Sequence, residues 1–140
     1  MLDHRIEARP TSGAVGAEIL GIDLSGRLDA CDVDKLRAAL NRYGVIFFRD
    51  QTISPEQQIA FAQRFGTINI NRFFKAAPGY PQIAEVRKEA NQKMNIGGGW
   101  HTDHSDDQIP ALGSILLARE VPPRGGDTLH RITLEGVPLE

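Results

Sequence analysis

The segment GGGWHTDHSDD, residues 97–107, places two histidines and three aspartates between positions 101 and 107, behind a glycine run and the single tryptophan, Trp100. Imidazole nitrogen and carboxylate oxygen are donors that a borderline divalent metal accepts. In an extended segment side chains alternate faces, so His101 and Asp103, two residues apart, point the same way. Two histidines and one carboxylate on one face, with other positions open, favour Fe(II) and leave room for oxygen and a co-substrate. His104 and Thr102 would face the other way, and His104, Asp106 and Asp107 read as solvated loop residues. The flanking glycines let the backbone approach a ligand closely. The same triplet has a plainer reading, in which His101 and Asp103 form a hydrogen-bonded pair capping a strand.

Such side chains need elements to hold them. Residues 14–26, AVGAEILGIDLSG, alternate apolar and small residues between glycines and predict a short strand running into a turn. In residues 29–44, Val33, Leu36, Leu40 and Tyr43 recur at helical spacing, acidic residues cluster at the start, and Gly44 follows the last turn. VIFFRD, residues 45–50, suits a buried strand. A second helix is predicted over residues 54–66, with Ser54 as N-cap, Pro55 at the first helical position, Gln57 completing a capping box and Gly66 as the stop. Its apolar face would be Ile59, Phe61, Ala62 and Phe65. Beyond it the pattern is mostly β, with strands expected over 82–89, 113–121 and 130–136 and a turn at PPRGG, residues 122–126. The predicted class is α+β, two helices against a largely β core, with the candidate site at a loop-to-strand junction.

Composition narrows the function classes. The 140 residues include 41% hydrophobic and 24% charged, with a net charge of −2, ordinary for a soluble globular domain. Basic residues are scattered, so no footprint for nucleic acid or an anionic membrane is present. One cysteine, Cys31, excludes an internal disulfide and fits a reducing compartment. The polar N-terminus is no signal peptide, and no apolar run approaches membrane-spanning length. A soluble, cytoplasmic protein is the expectation.

The surrounding text is more specific. GVIFFRDQ, FAQRFG, WHTD and PPRGGDT, in this order and spacing between about Gly16 and Thr128, resemble the taurine dioxygenase family, which includes 2,4-dichlorophenoxyacetate dioxygenase. The resemblance implies an Fe(II)- and 2-oxoglutarate-dependent oxygenase on a double-stranded β-helix, a jelly-roll relative. Here that implies a partial β-helix core with two flanking N-terminal helices. It implies His101 and Asp103 as iron ligands, and Thr128 as the partner of a 2-oxoglutarate carboxylate. Asn71 stands where taurine-specific members have a substrate-contacting histidine, which argues against taurine; it reads equally as a turn residue after TINI. The implied reaction hydroxylates a small, anionic organic substrate using O2, with release of succinate and CO2. The cofactor carries the hard chemistry while the protein orients and excludes water. Neither nucleic acid nor membrane is expected as a partner, whereas self-association is.

The match breaks after Thr128. HRITLEG resembles the last strand of the family, where an arginine contacts the substrate's anionic group, so Arg131 matches a substrate-anchoring position. Four residues upstream, where the family has its 2-oxoglutarate arginine, stands Asp127, which cannot supply a bidentate cationic fork. The expectation is a single, incomplete domain: residues 1–128 an N-terminal half, 129–140 a C-terminal strand segment joined by an internal deletion. A weakly active or inactive chain, poorly stable or oligomeric because strand edges lie open, follows from that expectation. Two alternatives remain open, a non-catalytic remnant and a cupin-like metal-binding protein in which His104 or His130 completes the set.

Overall fold

A computed structural model of the chain describes residues 6–11, 15–89, 91–93, 97–102 and 107–130. Among the described residues there are two helices and five short strands, β1 Glu7–Pro10, β2 Ala17–Leu20, α1 Ala30–Tyr43, β3 Ile46–Phe47, α2 Pro55–Gln63, β4 Ala76–Ala77 and β5 Tyr80–Ala84, an α+β content. The chain divides into two units, Met1–Ser54 with Ala118–Glu140, and Pro55–Leu117.

In the first unit β2 is the middle strand of three. It pairs antiparallel with β1, Glu7 opposite Leu20 and Pro10 opposite Ala17, and parallel with β3, Ala17 opposite Ile46. Parallel neighbours cannot be joined by a tight turn, so α1 serves as the crossover. The helix starts where Asp29 and Asp32 cap one another: the Asp32 N–H donates to Asp29 Oδ1 at 2.8 Å and the Asp29 N–H to Asp32 Oδ2 at 3.3 Å. That reciprocal pair is a capping box built from aspartates, and both carboxylates also face the positive end of the helix dipole. The helix stops at Gly44, whose φ of 69° suits glycine and whose N–H donates to the Leu40 carbonyl at 2.8 Å. Val33, Leu36 and Ala39 are buried, Leu36 completely, against a core that includes Ala17, Ile19, Leu24 and Ile53. The predicted stripe is therefore present, with Ala39 in the core and Leu40 and Tyr43 half-buried.

Two motif segments are stitched together by one amide. Gln51 Oε1 accepts from the Leu24 N–H at 2.8 Å, and its Nε2 donates to the Ile22 carbonyl at 3.3 Å and the Arg49 carbonyl at 2.9 Å. Asp50 before it takes φ 56°, a left-handed conformation that aspartate tolerates better than most residues. Across the sheet Arg49 Nε lies 3.1 Å from Glu18 Oε1, and its guanidinium sits over the Phe47 ring.

In the second unit, α2 packs beside the β4–β5 hairpin. Pro78 and Gly79 make its turn, with Gly79 at φ 80°, the left-handed value that a type II turn needs after proline. Phe61, the buried residue of α2, meets Phe65 edge-on at 5.2 Å between ring centres. The Tyr80 hydroxyl donates to Glu56 Oε1, tying β5 to the first turn of α2. That hydrogen bond, then desolvation, then the carboxylate's charge all hold the Tyr80 phenol above its ordinary value of 10.0.

Several expectations are corrected. The N-terminal segment, read as merely polar, supplies β1, because β2 offers it a free edge to pair with. The strand predicted over 82–89 is displaced to Tyr80–Ala84. Residues 113–121 carry no strand, and Ile115, Leu116 and Val121 are exposed. β-propensity yields a strand only where a neighbour accepts its hydrogen bonds. Instead of one largely β core there are two small sheets in separate units. The strand predicted over 130–136 lies outside the described residues apart from His130. Among the described residues no helix is long and apolar enough to cross a membrane.

Two measurements check these assignments. Gln51→Ala should lower unfolding stability by about 1 kcal/mol, the net worth of hydrogen bonds to part-buried backbone groups, as read by urea denaturation of the full chain; Gln51→Glu, which keeps the acceptor but loses the donors, should fall between. For Tyr80, the stabilisation is fully present below pH 10.0, where the phenol is protonated in both folded and unfolded chains. It is lost as pH rises through the higher folded value, because the unfolded chain ionises first. Ultraviolet titration should show one tyrosine ionising late, returning toward its ordinary value in Glu56→Gln.

Candidate functional site

Residues 97–102, from the glycine run to Thr102, carry a turn and irregular backbone. His101 Nδ1 lies 2.8 Å from the Gly99 carbonyl oxygen. A carbonyl only accepts, so Nδ1 carries the proton and Nε2 the lone pair in the neutral ring. An acceptor of this kind behind a histidine is what sets which nitrogen a metal would meet. Gly97, at φ +68°, lies against the same ring; a Cβ built there would come 3.1 Å from His101 Cε1. The close approach that glycine permits is therefore to the imidazole itself. His101 is exposed, and so is Trp100 beside it, at 55%.

Asp103, His104 and Asp106 lie outside the described residues, and so does Arg131. Among the described residues no group of three His, Cys, Asp or Glu side chains could hold a metal ion. Thr128, Asp127 and His130 are described and exposed, in the segment assigned to the first unit.

Asn71 belongs to the second unit, and its geometry is that of a turn. Its Oδ1 accepts from the Phe73 N–H at 2.8 Å and the Phe74 N–H at 3.0 Å. This Asx turn engages the side-chain oxygen in holding residues 71–74. The next residue, Arg72, reaches Asp107 with Nη2 to Oδ1 at 3.2 Å and stacks over the Phe73 ring. Asp107 was expected to be a solvated loop residue; its side chain is 26% exposed and salt-bridged. The pair joins the Asn71 turn to the far end of the His/Asp cluster. Neither Arg72 nor Gly97 is discernible as a site residue in the sequence. The only signal for Gly97 is the glycine run, and a contact at a separation of 35 residues leaves no local pattern.

Three comparisons bear on this site. The family model described as "Taurine catabolism dioxygenase TauD, TfdA family" matches residues 7–130. An alpha-ketoglutarate-dependent sulfate ester dioxygenase of Pseudomonas putida is 34% identical over 125 residues, which is 89% of this chain and 40% of that protein. An alpha-ketoglutarate-dependent 2,4-dichlorophenoxyacetate dioxygenase of Cupriavidus pinatubonensis is 31% identical over 140 residues, 88% of this chain and 48% of its own. Among solved structures, a Burkholderia xenovorans protein assigned as an alpha-ketoglutarate-dependent taurine dioxygenase superposes with a TM-score of 0.52 at 40% identity. That superposition covers 54% of this chain and 28% of the other. The chain thus spans less than half the length of these relatives.

The Arg72–Asp107 pair is open to a direct test. Asp107→Asn should raise hydrogen exchange at the Trp100–Thr102 amides a few-fold, in line with the roughly 0.2–1 kcal/mol of an exposed ion pair. The exchanged pair Arg72→Asp with Asp107→Arg should restore protection, and equal exchange in all three proteins would show that the contact does not hold the loop.

Proposed function

The chain belongs to the taurine catabolism dioxygenase TauD, TfdA family, and from that premise we propose that it carries the His-x-Asp portion of an Fe(II)- and 2-oxoglutarate-dependent dioxygenase site. The observation that carries this reading is the His101 loop. With Nδ1 donating to the Gly99 carbonyl, the imidazole is in the tautomer whose Nε2 suits a divalent ion, which is the fit such a site requires of it. Asp103, two residues on, would supply the carboxylate. Iron(II) with 2-oxoglutarate and O2, when bound, supplies the oxidising power that hydroxylates a substrate carbon and leaves succinate and CO2.

The chain's own residues bind and orient. The Thr128 hydroxyl would donate to a carboxylate of 2-oxoglutarate. Arg131 would pair with an anionic group of the substrate, a class that both the sulfate ester and the dichlorophenoxyacetate of the named relatives share. Asn71, with its oxygen held by the turn, has its amide Nδ2 as the atom to offer a substrate. The fold that goes with this reading is a portion of a double-stranded β-helix, single in domain and flanked by α1 and α2. Its support is the likeness to the B. xenovorans structure.

Anaerobic Fe(II) titration followed by succinate release from 2-oxoglutarate under oxygen tests the proposal. Binding and turnover should both be lost in His101→Ala and Asp103→Ala. Succinate release that is unchanged in either variant would overturn the assignment of ligands, and iron binding without succinate would leave a metal-holding, non-catalytic protein.

A further inference from the structure

Gly97 belongs to no ligand set, yet two independent features tie it to the His101 ring. Its φ of +68° is a left-handed conformation, and a Cβ built on it would lie 3.1 Å from His101 Cε1 and 3.7 Å from Nε2. Any side chain there would meet strain in the backbone and crowding against the imidazole at once. The Gly99 carbonyl accepts a hydrogen bond from Nδ1–H of the same ring at 2.8 Å. Gly99 differs from Gly97 in both respects, since its φ is outside the left-handed region and a Cβ there would meet nothing within 4 Å.

We infer that the glycine run is a cradle for His101, with Gly97 a positioning residue that holds the ring against the Gly99 carbonyl and so keeps its proton on Nδ1. The inference deepens the reading of His101 as an iron ligand and rests on it. Its chemistry is simple. Neutral imidazole has one lone-pair nitrogen, and only the Nδ1–H tautomer puts that lone pair on Nε2. A backbone carbonyl is an acceptor at every pH, so the tautomer is set without a second ionisable group. The carbonyl can do this only while the ring stays within hydrogen-bonding distance, and the bare Cα of Gly97 makes the space for it.

The test reads the tautomer directly in the metal-free full chain. Uniformly 15N-histidine-labelled protein is examined by long-range 1H–15N correlation at about pH 8.5, well above the ordinary imidazole value of about 6.5. His101 is identified by its loss in His101→Gln. The wild type should show His101 as the Nδ1–H form. Gly97→Ala should shift it toward a mixture or the Nε2–H form and weaken anaerobic Fe(II) binding about tenfold, the low end for losing a partner behind a metal-binding histidine. Gly97→Asn, which tolerates positive φ but carries a Cβ, should behave like Gly97→Ala, and Gly99→Ala should match the wild type. Amide 1H–15N spectra that keep the wild-type dispersion would show that each variant is folded. An Nε2–H form in the wild type, an unaltered tautomer in both Gly97 variants, or an equal shift in Gly99→Ala would each overturn the cradle. Iron affinity unchanged in His101→Gln would instead remove the ligand reading, while the tautomer measurement still decides the cradle.

Discussion

Parallel strands need a crossover, and the first unit is organised around that need. β2 hydrogen-bonds on both edges, and its parallel partner β3 is reached only by way of α1. The helix lies against β3, and Ala17 of β2 and Leu36 of α1 are both fully enclosed, at 0% exposure. The Gly16 N–H donates to the Tyr43 carbonyl and the Ala17 N–H to the Val45 carbonyl, each at 3.0 Å, closing the crossover where the helix ends. Gln51 then fixes the strand's exit against the Ile22–Leu24 segment. Burial of Val33, Leu36 and Ala39 stabilises the unit, while the caps and the amide clamp decide its register.

The second unit is held by a different balance. Phe61 is its one buried large apolar side chain among the described residues, and Ile70, Phe73, Trp100, Ile109, Leu112 and Leu116 are exposed. Polar geometry carries more of the definition there: the Asx turn at Asn71, the Pro78–Gly79 hairpin, the Tyr80–Glu56 hydrogen bond and the Arg72–Asp107 pair. Exposed ion pairs contribute little singly. The order of this unit therefore comes mainly from turns that dictate backbone direction.

The site follows from these local devices. What orients His101 is the main chain of its own loop, while Asp107, at the far end of the cluster, pairs with Arg72 of a turn far away in sequence. A histidine whose back nitrogen is tied to a peptide carbonyl is ready to present the other one. That is the feature of the proposed site that the described residues carry, in a chain that belongs to the taurine catabolism dioxygenase TauD, TfdA family.

Much of this was legible in the sequence for a physical reason: it was written in short-range pattern. Helical spacing of Val33, Leu36 and Leu40, the acidic start of α1, Gly44 at its end and Pro55 at the head of α2 each express a constraint acting within a few residues. The motif WHTD and its companions likewise pointed to the family by local order. Pairing was not legible. β1 formed from a polar segment because β2 had an edge to offer, and residues 113–121 stayed without a strand despite their apolar character. Asn71 carried two readings in sequence, and the geometry shows the turn that its oxygen holds. The tautomer of His101 and the bond between Arg72 and Asp107 belong wholly to tertiary structure. Each depends on where a carbonyl or a carboxylate arrives in space, and sequence spacing encodes no such distance.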